Sequence, residues 1–317
     1  FLSKRLVVWY GADSKGINDS SFAFEAADKS GEFFVTSGVY RIASNSTISS
    51  RLYTDRDVKI MPDNGVTLTV NSIIDPAEAK DPFGGEGNVD LSPTINVNVP
   101  NDYPTVQSAV DDCPRYLMQY FTVKLETGKY DEDVIVEGIY AFSVAKNPSD
   151  LNESSRLTII SANGVQQDPN VEVKSIYCVS CFGGTGHPGI KNISVYGANP
   201  YGNENARVEF YGCTSGTAFR LNFASASAVS AGKGVVAYQS NIQTGEIAFG
   251  DGIIGNGYNV KHQGIMSVKE SAGTGTCSVS VFWPLDGYIT AGNSDNVRAN
   301  EEFVRKSDST SNGIVYF

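Results

Sequence analysis

The stretch Gly11-Ala12-Asp13-Ser14-Lys15-Gly16-Ile17-Asn18-Asp19-Ser20-Ser21-Phe22-Ala23-Phe24-Glu25-Ala26-Ala27, with Phe33-Phe34-Val35 and Gly38-Val39-Tyr40 after it, decides the fold because its pattern returns later. The second copy runs Asn101-Asp102-Tyr103-Pro104, Thr105-Val106-Gln107-Ser108-Ala109-Val110, Phe121-Thr122-Val123-Lys124-Leu125 and Gly128-Lys129-Tyr130. Each copy predicts a capped short helix, a strand and a Gly-x-Tyr turn.

The helical parts carry one narrow apolar stripe each. Ala23, Ala26 and Ala27 fall at i, i+3, i+4, and Val106, Ala109, Val110 and Cys113 at i, i+3, i+4, i+7, the spacing of one helix face. Small residues there let a helix lie close against a flat surface, such as the open end of a stack of strands. Asp19 or Ser20 is expected to cap the first helix, and Asp102, with Pro104 in the first turn, the second. Pro114 ends the second helix. Gly38 and Gly128 are both expected to take a positive φ at the corner, so that valine at either costs stability, whereas Gly85 reads as a tolerant loop glycine.

Beyond about residue 150 the helical period disappears. Short β-rich runs follow one another at 157–160, 171–179, 190–196, 208–211, 218–223, 235–238, 246–249, 265–268 and 278–282, joined by Gly, Asn and Ser. Strands without helix-length crossovers suggest either an antiparallel sandwich or a solenoid in which each coil returns beneath the last. The Pro-, Gly- and acid-rich stretch 75–87 reads as a connector, and two domains are expected, 1–95 and 96–317. The last run, Gly313-Ile314-Val315-Tyr316-Phe317, is a strand able to pair within the chain or with a neighbour.

Composition narrows the function. The 317 residues carry a net charge of −11 and no Lys/Arg block, so no phosphate-neutralising surface for nucleic acid is expected. No apolar run approaches a membrane span, so no membrane insertion is expected either. The start at Phe1 rather than Met suggests that a preceding piece was removed or not included. Five irregularly spaced cysteines read as reduced thiols of a protein made in cytoplasm. Cys178-x-x-Cys181 with His187 and Cys213 is only a fragment of a zinc pattern; no metal and no cofactor are expected. His187 and His262 are the two histidines, and no nucleophile elbow or phosphate loop is present, which disfavours serine-hydrolase and nucleotide chemistry.

Gly11-Ala12-Asp13, Gly16, Asp19, Ala23, Ala26-Ala27, Val35 and Gly38-Val39-Tyr40 resemble the opening of the pectate-lyase-like domain of phage tailspikes. The resemblance covers residues 10–42, with Thr36-Ser37 where the family often has Pro before the Gly-x-Tyr turn. It implies an all-β fold, a right-handed parallel β-helix with short cap helices, usually as a homotrimer that binds or cleaves bacterial surface polysaccharide. Residues 103–110 with Gly128-Lys129-Tyr130-Asp131-Glu132-Asp133-Val134 look like the start of pectin-methylesterase-type β-helices. That family's paired Asp motifs have no match here, and only the fold is carried over.

The expected function is therefore a viral tail spike or fibre protein that binds a host surface glycan, located in the virion tail beside other tail proteins. A polysaccharide depolymerase and a structural spacer are the alternatives. Glycosidases need two carboxylates roughly 5–9.5 Å apart, which neighbouring coils can supply; Glu209, Glu246, Asp251 and Glu270, in or beside predicted strands, are the candidate acids. Any one of them taken alone reads first as a solvated surface carboxylate. A lyase would draw on Lys191, Arg207 or Arg220. Aromatic rings beside turns or strand ends are candidates for sugar stacking: Tyr196, Tyr201, Tyr238, Tyr258 and Trp283. Phe210, Phe219 and Phe249 are expected to stack inside.

Overall fold

The computed structural model describes residues 5–92, 94–142, 156–183, 187–201, 205–223 and 233–247, together with the strands Asn256–Lys261, Ile265–Lys269, Ser280–Leu285, Tyr288–Gly292 and Ile314–Tyr316. The fold is all-β: among the described residues strands dominate and the helical segments are Val7–Tyr10, Ser21–Lys29 and Val106–Asp111, and no described helix is long and apolar enough to cross a membrane. Two compact units are present. Residues 5–95, 114–121 and 139–142 form the first; 96–113, 122–138 and those from 156 onward form the second.

In the first unit the chain visits three parallel sheets in turn. One holds Phe33–Val35, Leu52–Thr54 and Ile74–Pro76; the next Lys15–Asp19, Gly38–Ile42 and Val58–Pro62; the third Ser46–Ile48, Thr67–Val70 and Asn88–Leu91. Each circuit lays its strands on those of the circuit before, so one column of side chains per sheet faces inward. Phe33 pairs with Leu52 and Leu52 with Ile74. Tyr40 pairs with Ile60 and Ile60 with Phe83, while Ile48 pairs with Val70 and Val70 with Leu91. These columns are the core, and each fully buried large side chain adds about 1.5–3 kcal/mol of hydrophobic stabilisation.

The first helix, α1 (Ser21–Lys29), buries Ala23, Phe24 and Ala27. Ala26 lies at its margin, and the place expected for it is taken by Phe24, whose ring meets Phe33 at 6.0 Å and Tyr40 at 5.8 Å, edge to face. Ser20 is the N-cap but makes no capping hydrogen bond with its side chain. Its hydroxyl accepts from the Asp13 amide, and Asp19 Oδ1 accepts from the Ser21 and Ala43 amides.

The second helix, α2 (Val106–Asp111), buries the expected stripe of Val106, Ala109 and Val110, with Cys113 just beyond. Its cap differs from expectation. Thr105 and Ser108 form a reciprocal capping box, and Pro104 precedes the cap instead of sitting in the first turn. Asp102 accepts from the Asn98 amide. The remaining helix-start donors, Val106 N and Gln107 N, are taken by the Glu132 carboxylate at 3.1 and 3.0 Å, an anion where the helix dipole favours one.

The duplicated Gly-x-Tyr turn closes in the same way in both units. Tyr40 donates its hydroxyl to the Thr36 carbonyl and Tyr130 to the Glu126 carbonyl, both at 2.9 Å. The glycines are not equivalent, however. Gly38 has φ +146°, and a Cβ there would sit 2.6 Å from the Ser14 carbonyl oxygen. Gly128 lies outside the positive-φ region, and its Cβ would meet only Tyr130 ring atoms at 3.9 Å. Gly85, expected to be tolerant, has φ +73°, and a Cβ there would fall 2.5 Å from the Pro62 oxygen.

The second unit alternates between two parallel sheets. The chain runs from Gly128–Glu137 in one to Leu157–Ser161 in the other, then Asp168–Val179, Gly189–Lys191, Ala206–Tyr211, Gly216–Phe219, Lys233–Tyr238 and Asn241–Gly245, alternating between the sheets, with the short Ile193–Val195 added beside Asp168–Val179. Every described pairing is parallel, which an antiparallel sandwich does not allow. Ile314–Tyr316 pairs within the chain, beside Tyr288–Gly292.

What takes the chain from sheet to sheet is a single left-handed residue at each corner. Gly138, Ser180, Gly212 and Gln239 follow the strands of the first sheet, with φ between 50° and 64°. Asn192, Arg220 and Glu246 follow those of the second, with φ between 49° and 55°. Five of these corner amides are tied to the next coil: Gly138 N donates to Val179 O, Ser180 N to Tyr211 O, Gly212 N to Tyr238 O, Asn192 N to Phe219 O and Arg220 N to Gly245 O, at 2.9–3.2 Å. Non-glycine residues pay a small strain for this conformation, which the inter-coil bond offsets.

One residue further on, a small polar group joins successive coils. Cys181 Sγ donates to the Val136 and Val179 carbonyls, Cys213 Sγ to Cys178 and Tyr211, and Ser240 Oγ to Phe210 and Tyr238. Cys178 is thus a core residue of its strand and Cys181 a corner residue, the split expected for the pair, and both are buried.

A buried carboxylate pins another corner. Asp168, fully buried, accepts from Ser161 Oγ, Asn163 Nδ2 and the Asn170 amide. Burial alone would raise its pKa, but the donors from Ser161, Asn163 and Asn170 outweigh it and hold the carboxyl below the usual Asp value. A depressed folded pKa gives stability that is present above the unfolded value of ~3.9 and lost as pH falls through the folded one. Thermal melts should therefore show the second unit weakening below about pH 4. Asp168→Ala should flatten that acid slope and cost ~1–3 kcal/mol at neutral pH, since it strands buried donors. An unchanged acid slope would contradict this role.

Candidate functional site

Strand alternation in the second unit sorts the candidate residues. Along Ala206–Tyr211, Val208 and Phe210 face the core, so Arg207, Glu209 and Tyr211 belong to the other face. The register extends this face in two columns. Tyr177 pairs with Glu209, Glu209 with Val236, Val236 with Asn259 and Asn259 with Trp283; Val179 pairs with Tyr211, Tyr211 with Tyr238 and Tyr238 with Lys261. Tyr211 and Tyr238 stack at 4.6 Å with ring planes 15° apart. Beside them, Tyr177 is pushed up to about 12 by burial and then by the charge of Glu209. The tyrosines are half-buried, whereas Glu209 and Val236 on the same face are fully covered.

The five aromatic candidates are separated by this register. Tyr238 lies on the outer face, and Trp283 falls by backbone register in the same set of columns; its side chain is outside the described residues. Tyr258 is an inward residue with no exposed surface, so it is a core residue and not a sugar platform. Tyr196 is also mostly covered: its hydroxyl donates to Asp131 Oδ1 at 2.9 Å and Lys129 Nζ sits 4.2 Å above its ring. Burial and the bond to Asp131 raise its pKa. Tyr201, 58% exposed, is the accessible one of this pair. Phe210 stacks inside as expected, Phe219 is half-buried, and Phe249 is outside the described residues.

The acids fare similarly. Glu209 is fully buried instead of solvated. Glu246 is a corner residue, held by Arg220 through Nε at 2.8 Å and Nη2 at 3.2 Å. Asp251 and Glu270 lie outside the described residues, as does His262. Of the cations considered for a lyase, Arg220 is engaged with Glu246. Arg207 is buried, donating to the Val195 and Phe223 carbonyls, and burial pulls it down to about 10. Lys191 is likewise lowered by burial. His187 is buried, its Nδ1 accepting from the Leu157 amide. Among the described residues no group of three or more His, Cys, Asp or Glu is placed to hold a metal.

Compared with known proteins, the chain matches no family model, no curated protein and no solved structure. The site must therefore be read from its own geometry. Sequence reasoning missed Tyr177 and Tyr211. The signal for both was parity: each sits an odd number of residues from a core Ile, Val or Phe of its own strand, as Tyr238 does.

Proposed function

We propose that this chain is a virion tail spike or fibre protein that binds a host surface polysaccharide, and that its second unit is a right-handed parallel β-helix in a homotrimer. The hand follows from the near-universal right-handedness of crossovers between parallel strands. The trimer, the tail location and contacts with other tail proteins rest on the resemblance of residues 10–42 alone.

The observation that carries the binding reading is the outer face, where Tyr211 and Tyr238 stack in register on neighbouring strands and Tyr177 lies in the adjacent column, opposite Glu209. Strands repeat every ~4.8 Å, close to the length of one pyranose, so an extended glycan lying across them meets the Tyr211 and Tyr238 rings at two successive steps, with Tyr177 to one side. Tyrosine suits such partly wet surfaces, having an apolar body and a polar tip. Binding is favoured over cleavage because Glu209 is buried and Glu246 is held by Arg220. The depolymerase is the second reading.

Incubation with capsule or lipopolysaccharide preparations, on a glycan array and in a reducing-end assay, should give binding without new reducing or unsaturated ends. New ends would establish the depolymerase. No binding to any surface glycan would leave the spacer.

A further inference from the structure

The first unit carries a cleft of its own. It has a volume of about 580 Å3 and lies over the sheet of Lys15–Asp19, Gly38–Ile42 and Val58–Pro62, bordered by Val39, Arg41, Met61, Asp63, Asn64 and Glu86. That volume is within the range of small-molecule sites. The recess exists because Gly16 and Gly85 border it without side chains. A Cβ on Gly16 would approach Val39 Cγ1 to 2.8 Å, and one on Gly85 the Pro62 oxygen to 2.5 Å.

At its centre the Arg41 guanidinium is clamped flat. Nε donates to both Asp63 oxygens at 3.0 Å and Nη2 donates to Oδ2 at 2.6 Å. The side chain is thus pre-organised, while Nη1 makes no hydrogen bond among the described residues. Beside it are the acceptor oxygens of Asp63, the amide of Asn64 and the apolar surfaces of Val39 and Met61. This mixture suits a ligand whose one face is C–H and whose rim both donates and accepts, which is a sugar ring. An aromatic ligand would want an enclosed apolar slot. An anion would find Arg41 already neutralised by Asp63, with Glu86 at the rim and Asp19 near enough to act on both members of the pair.

We propose that this cleft binds one neutral or amino-substituted pyranose, its C–H face on Val39 and Met61 and its hydroxyls on Arg41 Nη1, Asp63 and Asn64, and that it rejects uronic acids. The ligand class is argued from the cleft alone and does not depend on the outer face of the second unit.

The test is saturation-transfer NMR on the full chain with the methyl glycosides of glucose, galactose and mannose, with glucosamine, and with glucuronic acid. At least one neutral or amino sugar should receive saturation at millimolar concentration, and glucuronic acid should receive less. Arg41→Met should weaken the bound sugar at least about tenfold, as expected for loss of a charged donor. Asn64→Ala, at an exposed position, should weaken it too and decides the matter if Arg41→Met does not fold by circular dichroism. Saturation of no neutral or amino sugar, equal or stronger saturation of glucuronic acid, or parent-like binding by a folded variant would overturn the proposal. Polysaccharide binding by the second unit bears on the preceding reading and leaves this one untouched.

Discussion

Phe24→Ala should remove about 3–5 kcal/mol from the first unit, the cost of truncating a fully buried ring. Phe24 has no exposed surface and is the one large side chain that α1 sets against the strands, edge to face on Phe33 and Tyr40. The neighbouring Ala23 and Ala27 are too small to fill the space it leaves. Small domains have only about 5–15 kcal/mol in total, so chemical denaturation followed by circular dichroism should show this unit melting first. A midpoint equivalent to less than about 1 kcal/mol of loss would mean that α1 does not seal the core, contrary to its packing here.

Valine substitution at the two corner glycines should split them. At Gly38 the positive φ alone is worth about 1–3 kcal/mol, and the added Cβ would collide with the Ser14 carbonyl. Gly128→Val should cost less than about 1 kcal/mol, because its backbone is already suitable for a β-branched residue in a strand. Gly85→Val should behave like Gly38→Val. Equal losses at Gly38 and Gly128 would contradict the difference in backbone angles.

The same pair of glycines shows what a sequence reveals and what it hides. The duplicated helix and Gly-x-Tyr motif was legible because an apolar stripe and a turn residue are local signals, and both tyrosines return their hydroxyls to the carbonyl four residues back. A φ angle is not local. Gly38 is crowded by Ser14, in the turn before Lys15–Asp19, which only folding brings beside it. Likewise, the corners of the second unit were invisible because most are Ser, Gln, Asn, Arg or Glu, and what ties Ser180, Asn192 and Arg220 in place is an inter-coil hydrogen bond that exists only after folding.

Site residues were hidden for a different reason. Tyr238 and Tyr258 look alike as aromatic residues of neighbouring strands, yet they stand three register positions apart, an odd number, which sends one outward and the other into the core. Glu209 is as acidic as any surface glutamate in the sequence, and only its place between Val208 and Phe210 on a covered strand shows that it is buried. Arg220 and Glu246 directly follow paired strands of one sheet, where stacking turns two candidate chemical groups into one corner ion pair.

The most direct measurement of the account is polysaccharide binding by the Tyr211→Ala/Tyr238→Ala double variant, compared with the parent chain on immobilised surface glycan. Both residues are half-buried on the outer face, so the variant should keep the parent's circular dichroism spectrum. The account predicts binding at least about tenfold weaker, since each lost aromatic contact is worth roughly 0.5–1.5 kcal/mol beyond its buried area. A folded double variant that binds the glycan as tightly as the parent would contradict it.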